Sequence, residues 1–181
     1  MTPSPKKGAP KIKALFFDVD GVLTDGRVYI DEQGRESKVF DTKDGHGVKM
    51  ALAAGLHVAW LSGRTSKATE QRARELGVTE CHQAVADKGR VFEALCRRWG
   101  VARRETAALG DDEPDIPMLI AAGFSACPSD AAPAARKAAQ VVLKNAGGRG
   151  AVREFVEHIL RYNRLADRTA ASARTRAIVI K

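Results

Sequence analysis

The sequence predicts an α/β protein in which helices cover both faces of a parallel β-sheet. Short apolar runs recur along the chain, and segments with the 3.6-residue period of a helix lie between them. Strands that are apolar throughout are typical of a parallel sheet buried between two layers of helices. Ligands bind beyond the carboxyl ends of such strands, so the residues that follow each apolar run are the candidate site residues.

The predicted strands are these apolar runs, and the third of them is the weakest. In chain order they cover residues 12–17, 58–61, 81–85, 106–109, 124–127 and 141–143. Three helices are predicted from their composition and periodicity. Residues 66–76 are charged and rich in alanine, whereas residues 88–99 and 152–160 place apolar side chains at helical spacing.

A β-hairpin is predicted between the first strand and the first of these helices. Residues 28–30 and 38–40 flank the polar turn of residues 31–35, which is the pattern of two short antiparallel strands. The insertion is too small to form a lid, so we expect no large cap domain.

Composition indicates one compact domain and excludes several classes of protein. The chain has 181 residues, of which 44% are hydrophobic, which suits a single domain with a substantial core. It has no apolar run of about 18 residues, so we expect no membrane-spanning helix, and no secretory signal is expected at its basic start. Cys81, Cys96 and Cys127 form no C-x-x-C pair, so we predict core thiols in a cytoplasmic protein.

The net charge of +8 is concentrated at the two ends of the chain. Residues 1–13 carry +4 and residues 161–181 carry +5, which leaves −1 on residues 14–160. A nucleic-acid-binding module that uses these ends is the alternative from a different functional class. Such modules usually spread basic and aromatic residues over a folded face, and aromatic residues make up only 6% here. We therefore expect no nucleic-acid partner.

The same charge distribution divides the chain into three parts. We expect a basic, disordered segment at residues 1–11, a catalytic domain at residues 12–163, and a basic, mobile tail at residues 164–181.

Acidic clusters follow two of the predicted strands. Asp18 and Asp20 come directly after the first strand, and Asp111, Asp112 and Asp115 follow the strand at residues 106–109. Two carboxylates crowded into one site cost free energy because like charges repel. Mg²⁺ prefers oxygen ligands, so one carboxylate from each cluster is a sensible pair of metal ligands.

Phosphate-binding groups follow the strands between them. Ser62, Gly63 and Arg64 lie just before a predicted helix, where a hydroxyl and free amides bind phosphate oxygens, and Lys88 begins the next helix. Each feature alone has a simpler structural explanation; Lys88, for example, follows Asp87, a possible helix N-cap. Together, carboxylates, hydroxyl, ammonium and carboxylates at four successive strand ends are what phosphoryl transfer needs.

These residues resemble the four motifs of the haloacid dehalogenase superfamily of phosphohydrolases. The motifs are DVDGVLTDG at residues 18–26, LSGR at residues 61–64, Lys88, and GDDEPD at residues 110–115. The resemblance covers about residues 12–160 and implies a Rossmann-like parallel sheet. The hairpin, KDGHG at residues 43–47 and GGRGAVRE at residues 147–154 resemble one branch, the 3-deoxy-D-manno-octulosonate 8-phosphate phosphatases and related sugar-acid phosphatases.

The resemblance implies catalytic and metal-binding roles for five acidic residues. Asp18 would be the nucleophile and a Mg²⁺ ligand. Asp20 would be the general acid/base and would bind Mg²⁺ through its backbone carbonyl, and Asp111 would be the remaining protein ligand. Asp112 and Asp115 would order the water shell of the metal.

The resemblance also implies how substrate is held. Ser62, Gly63 and Lys88 would hold the phosphate, and Lys88 would also assist catalysis. Arg64 and Arg149 would meet the carboxylate of a sugar acid, with Arg149 acting either in its own site or in a neighbour's.

The implied activity is Mg²⁺-dependent removal of phosphate from 3-deoxy-D-manno-octulosonate 8-phosphate through an aspartyl phosphate. A nonulosonate 9-phosphate phosphatase, or a phosphatase for another sugar phosphate, is the alternative within the same chemistry. A non-catalytic oligomerisation domain with this fold is a third possibility, which the presence of both Asp18 and Asp20 disfavours. Members of the branch are typically homotetramers in which hairpins pack centrally and a neighbour helps to close each site. No membrane partner is expected.

Overall fold

The structure is a computed structural model that describes residues 10–179, with side chains described as far as Arg168. The strands are β1 (Ala14–Phe17), β2 (Tyr29–Ile30), β3 (Glu36–Ser37), β4 (His57–Leu61), β5 (Glu80–His82), β6 (Thr106–Leu109), β7 (Phe124–Cys127) and β8 (Val141–Val142). The helices are α1 (Thr42–Ala53), α2 (Lys67–Leu76), α3 (Lys88–Trp99), α4 (Ile116–Ala121), α5 (Pro133–Ala138) and α6 (Ala151–Val179), with 3₁₀ turns at Arg103–Glu105 and Glu113–Asp115.

The main sheet confirms the predicted architecture. Its parallel strands are ordered β5-β4-β1-β6-β7-β8, and β2 and β3 form a separate hairpin. At the end of the central strand β1, Phe17 is in register with Trp60 of β4 and Leu109 of β6. The residues that follow these three strands therefore leave the sheet at one edge, as parallel pairing requires.

Two apolar layers bury the sheet on both faces because successive side chains of a strand point in opposite directions. On one face Phe17 packs against Phe155 of α6, with ring centroids 5.9 Å apart. On the other, Phe16 packs against Phe92 of α3, with ring centroids 4.5 Å apart. Full burial of a phenylalanine contributes roughly 1.5–3 kcal/mol, so this packing holds β1 firmly in the middle of the sheet.

Helix α1 was not predicted, because its two glycines and polar residues weaken the helical pattern. The structure shows what the glycines do. Gly47 packs against α6 so closely that a Cβ atom there would lie 2.9 Å from the Cα atom of Arg153. Small residues on α1 therefore allow the two helices to approach.

The hairpin forms, but its return strand is Glu36–Ser37, so the predicted strand at residues 38–40 was wrong. Pairing resumes directly after the turn because Asp31 closes it: the Gly34 amide donates to the Asp31 carbonyl at 2.9 Å, and the Asp31 amide donates to the Arg35 carbonyl at 3.1 Å. Lys38 therefore lies beyond the strand, where it turns toward the edge that carries the acidic residues.

Helix α6 passes through the predicted domain boundary at residue 163 and continues to Val179. The residues beyond the boundary are rich in alanine, which favours helix. At the boundary, Asn163 accepts from the Ile12 amide and donates to the Ile12 carbonyl, both at 2.8 Å, and Lys11 pairs with Asp167. The structure thus gives no break at residue 164. Mobility of the tail stays a prediction, and residues 1–9 of the predicted disordered segment lie outside the described residues.

Two of the three cysteines are buried in the core, as predicted. Cys96 and Cys127 are buried, Cys81 is partly buried, and none of the three is in a disulfide. Burial raises the pKa of the Cys96 thiol to about 11, which keeps it protonated and inert. No helix in the described part of the chain is long and apolar enough to cross a membrane.

The buried Asp44 side chain ties α1 to the start of α6. Its carboxylate accepts from the Gly150 amide at 3.0 Å and from the Arg153 amide at 2.8 Å. Asp44→Ala leaves both amides without this partner, so we expect a loss of about 1–3 kcal/mol in the free energy of unfolding. Urea denaturation measures this loss. Glu32→Ala, at an exposed position of the hairpin turn, is the control, and an equal loss in both variants would contradict the role assigned to Asp44.

Candidate active site

The ends of three neighbouring strands bring the predicted motifs together at one edge of the sheet. Asp18 follows β1, and its amide donates to the Leu109 carbonyl at 3.0 Å, which continues the pairing between β1 and β6. Ser62 follows β4, and its amide donates to the His82 carbonyl at 2.9 Å. Backbone pairing within the sheet thus fixes the positions of the Asp18 and Ser62 main chains.

A buried charge cluster lies at the centre of this edge. The Lys88 ammonium donates to Asp18 Oδ1 and to Asp115 Oδ1, each at 2.5 Å. Lys88, Asp18 and Asp115 are only 5%, 4% and 1% exposed. Asp87 caps α3 by accepting from the Arg90 amide at 2.9 Å, so the helix start and the placement of Lys88 in the site occur together.

Burial and repulsion between neighbouring carboxylates disfavour the charged forms of Asp18 and Asp111. Burial raises the pKa of the Asp18 carboxyl well above its usual range, the charge of Asp115 raises it further, and Lys88 lowers it. Burial and Asp115 also raise the pKa of Asp111 to about 7. Burial acts to lower the pKa of Lys88, but attraction to Asp18 and Asp115 outweighs it and the pKa is raised. One ammonium does not neutralise three acidic groups.

The cluster fits a divalent cation. Asp18, Asp111 and Asp115 each offer a carboxylate oxygen, and these oxygens lie within 4.8 Å of one another. Asp111 Oδ1 is buried without a hydrogen-bond partner among the described residues. Gly21, at φ +98°, leaves the space, since a Cβ atom there would lie 2.1 Å from Asp111 Oδ2. An acidic, oxygen-only group of this kind suits Mg²⁺.

The grouping adds Asp115 to the acidic residues that were predicted as metal ligands. Asp18 and Asp111 lie together, and the Asp20 side chain points to Ser62 and Lys38, which is compatible with the predicted metal role of its backbone carbonyl. Asp115 Oδ2 accepts from the Asp111 amide at 2.8 Å, whereas Asp115 Oδ1 accepts from Lys88. The Asp115 side chain therefore positions both the loop after β6 and the Lys88 ammonium. Asp112 is exposed, and its carboxylate accepts from the Glu113 amide.

The hairpin contributes two residues that the sequence interpretation missed. Lys38 forms an ion pair with Asp20 and lies 3.4 Å from Glu36 Oε1. Glu36 also accepts from Arg64 Nη2 at 2.6 Å. The sequence offered little signal for either residue, because a charged residue that follows a hairpin turn is usually exposed.

The second motif is arranged around the Ser62 hydroxyl. This buried group accepts from the Arg64 amide at 3.1 Å, and its one proton has two acceptors within reach, the Arg64 carbonyl at 3.1 Å and Asp20 Oδ2 at 3.3 Å. Gly63 is exposed beside it, and a Cβ atom there would meet only the Val85 carbonyl, at 3.9 Å. The second motif therefore meets the first through the contact between Ser62 and Asp20, and the predicted binding of substrate by Ser62, Gly63 and Arg64 stays a prediction.

The loop before α6 packs on the loop that follows β1. The Gly148 amide donates to the Val22 carbonyl at 2.9 Å, and a Cβ atom on Gly147 would lie 1.8 Å from the Gly21 carbonyl oxygen. Only glycine allows this approach, which positions the exposed Arg149 near the first motif. Arg149 has no ion-pair partner among the described residues, so its predicted contact with substrate stays a prediction.

Comparisons with known proteins agree with this geometry. A family model for haloacid dehalogenase-like hydrolases matches residues 80–155. The chain is 39% identical over 152 residues to 3-deoxy-D-manno-octulosonate 8-phosphate phosphatase KdsC of Escherichia coli K12, across 84% of this chain and 81% of the relative.

Solved structures show the same similarity. The Yersinia pestis 3-deoxy-D-manno-octulosonate 8-phosphate phosphatase is 36% identical, with a TM-score of 0.84, and the match covers 88% of this chain and 86% of that one. The Moraxella catarrhalis enzyme, solved with magnesium, phosphate and KDO, is 33% identical, with a TM-score of 0.83, and the match covers 91% and 94% of the two chains.

The parallel sheet with two acidic loops, a serine and a lysine at its carboxyl edge is that of a haloacid dehalogenase-like hydrolase. Because function is argued from the site, the acidic residues, serine and lysine at this edge favour a hydrolase over a nucleic-acid-binding module. Within this class, the sequence identity to 3-deoxy-D-manno-octulosonate 8-phosphate phosphatases extends over most of both chains. The chain therefore belongs to the 3-deoxy-D-manno-octulosonate 8-phosphate phosphatase family.

Proposed function

We propose that the protein hydrolyses 3-deoxy-D-manno-octulosonate 8-phosphate to the free sugar acid and inorganic phosphate, with Mg²⁺ as cofactor. The observation that carries the proposal is the buried Asp18 carboxylate, held by Lys88 beside Asp111 at the ends of β1 and β6. Family membership supplies the substrate class, and the magnesium in the Moraxella catarrhalis structure supports the cofactor.

In the first step the Asp18 carboxylate attacks the phosphorus atom. An Asp18 oxygen–phosphorus bond forms, the bond from phosphorus to the sugar oxygen breaks, and the proton of Asp20 passes to that oxygen to give the sugar hydroxyl. Lys88 stabilises the negative charge that gathers around the nucleophile.

In the second step water attacks the phosphorus of the aspartyl phosphate. The bond to Asp18 breaks, inorganic phosphate forms, and Asp20 takes the water proton and returns to its starting state. Ser62 Oγ lies 3.3 Å from Asp20 Oδ2, which supports a role for its hydroxyl, together with the neighbouring Gly63 amide, in holding phosphate oxygens during both steps.

Bound Mg²⁺ supplies positive charge that offsets the repulsion between the phosphate and the carboxylates. Asp18 and Asp111 would hold it through their side chains and Asp20 through its backbone carbonyl, with Asp115 and Asp112 ordering the surrounding water. The unpartnered Asp111 Oδ1 supports this assignment.

Two arginines are candidates for the substrate carboxylate. Arg64 lies on the rim of the site with its side chain about half exposed, and Arg149 is exposed on the loop that packs against the first motif. A guanidinium binds a carboxylate through paired hydrogen bonds. Both arginines would recognise any sugar acid, so neither distinguishes the proposed substrate from a nonulosonate 9-phosphate.

The proposal is tested by phosphate release from a panel of sugar phosphates with Mg²⁺. We expect the highest kcat/KM for 3-deoxy-D-manno-octulosonate 8-phosphate, since specificity is a ratio of these values. EDTA should abolish turnover and added Mg²⁺ should restore it. A higher kcat/KM for a nonulosonate 9-phosphate would contradict the proposed substrate. The absence of phosphate release from every member of the panel would overturn the proposed activity.

We further infer a cytoplasmic homotetramer. The hairpin exposes Val28, Tyr29, Ile30 and Val39, and a patch of apolar side chains on so small an element favours packing against other copies of the chain. The unpaired cysteines suit a reducing compartment. Sedimentation equilibrium should give the mass of four chains, and a monomer at micromolar concentration would contradict this assembly.

A further inference from the structure

A closed ring of polar contacts joins the hairpin to the first two motifs. Asp20 pairs with Lys38, Lys38 lies 3.4 Å from Glu36, and Glu36 accepts from Arg64 at 2.6 Å. The Arg64 amide donates to Ser62 Oγ, and Ser62 Oγ lies 3.3 Å from Asp20 Oδ2, which closes the ring.

Lys38 is the most buried of the charged side chains in the ring. Its side chain is 2% exposed, whereas that of Arg64 is 49% exposed. A buried ammonium is tolerated only when carboxylates pair with it, and here Asp20 and Glu36 do so. Lys38 is thus held in one place, unlike a surface lysine.

The two oxygens of Asp20 are held from two sides. Oδ1 contacts the Lys38 ammonium and Oδ2 contacts the Ser62 hydroxyl. Two partners on different elements fix the plane of a carboxylate that a single partner would leave free to rotate about the Cβ–Cγ bond.

We propose that Lys38 is a positioning residue that holds the Asp20 carboxyl group where it exchanges protons with the leaving sugar oxygen and with the attacking water. This inference rests on the proposed function, in which Asp20 is the general acid and base. The hairpin, rather than the sheet alone, then completes the catalytic geometry.

The role predicts a kinetic signature that depends on the leaving group. A sugar alkoxide needs a proton as it leaves, whereas p-nitrophenolate is a stable anion that leaves without one. The value of kcat/KM reports the steps up to departure of the leaving group, so poor placement of Asp20 affects kcat/KM for the sugar phosphate and spares that for p-nitrophenyl phosphate.

The test compares Lys38→Met, Lys38→Arg and the wild type on both substrates. General acid catalysis contributes about 10²–10⁴-fold, so partial misplacement in Lys38→Met should lower kcat/KM for the sugar phosphate by about 30- to 100-fold. For p-nitrophenyl phosphate the fall should be no more than about threefold. Lys38→Arg, which keeps the charge, should recover most of the loss.

A pre-steady-state experiment gives a second readout. In Lys38→Met the water attack on the aspartyl phosphate lacks a well-placed base, so p-nitrophenol should appear in a burst of about one equivalent per active site before slow turnover. A general loss of folded enzyme would shrink the burst and the turnover together. The thermal unfolding midpoint is measured alongside, and Lys49→Met, at an exposed position of α1, is the matched control.

The outcomes separate the two proposals. A wild type that hydrolyses neither substrate refutes the proposed function. An active wild type with equal loss on both substrates and no burst in Lys38→Met overturns the positioning role and leaves the phosphatase activity intact. Unequal loss with a burst supports the role.

Discussion

Replacing Asp18 by asparagine is expected to abolish phosphatase activity without lowering stability. The amide is not a nucleophile toward phosphorus, so kcat should fall by at least about 10³-fold. Burial raises the pKa of Asp18, which means that the folded protein disfavours its charged form. The neutral amide removes one negative charge from the cluster with Asp111 and Asp115. The unfolding midpoint in EDTA at pH 8 should therefore not fall.

Phosphate release and thermal unfolding are measured on the same preparation, and mass spectrometry locates phosphate on the acid-quenched wild type. Asp167→Asn is the matched control, since this exposed aspartate pairs only with Lys11 at the far end of the domain in the described structure. Turnover retained in Asp18→Asn, or phosphate trapped on another residue, would exclude the covalent step on Asp18.

The residues at the strand ends could be predicted because parallel pairing makes their meeting a consequence of sequence order. Phe17, Trp60 and Leu109 share one register, so whatever follows β1, β4 and β6 must converge. Lys88 was different. As a residue next to the helix cap Asp87 it had a sufficient local explanation, and only its order among the other motifs marked it as a site residue.

Lys38, Glu36 and helix α1 could not be predicted in the same way. A charged residue after a hairpin strand is typical of an exposed position, and the burial of Lys38 depends on how the hairpin folds back over the sheet. Helix α1 shows little apolar periodicity because one of the positions that pack against α6 is Gly47. A glycine allows the two helices to approach but adds no apolar side chain to the pattern. These features depend on tertiary packing, which local propensity does not report.

Replacing Lys88 by methionine is expected to remove activity and to make stability strongly dependent on pH. Methionine retains much of the shape of the side chain but leaves Asp18 and Asp115 buried without their shared ammonium. Removing one partner of a buried ion pair costs about 3–5 kcal/mol, and the lost charge also removes stabilisation of the reacting phosphate. We expect kcat/KM to fall by at least about 10³-fold.

The pH dependence of this variant follows from the direction of the pKa shifts. The pKa of Asp111 is already raised to about 7, that of Asp18 is raised, and Lys88 opposes both shifts. Without Lys88 both values rise further, so the folded state keeps protons that the unfolded state has released at neutral pH. Stability then falls as pH rises from about 4 to above 7. In EDTA the unfolding midpoint of Lys88→Met should lie well below that of the wild type at pH 8 and close to it at pH 5. Lys88→Arg keeps the charge and should show a smaller dependence, while an equal deficit at both pH values would mean that lost packing, rather than unpaired carboxylates, destabilises the variant.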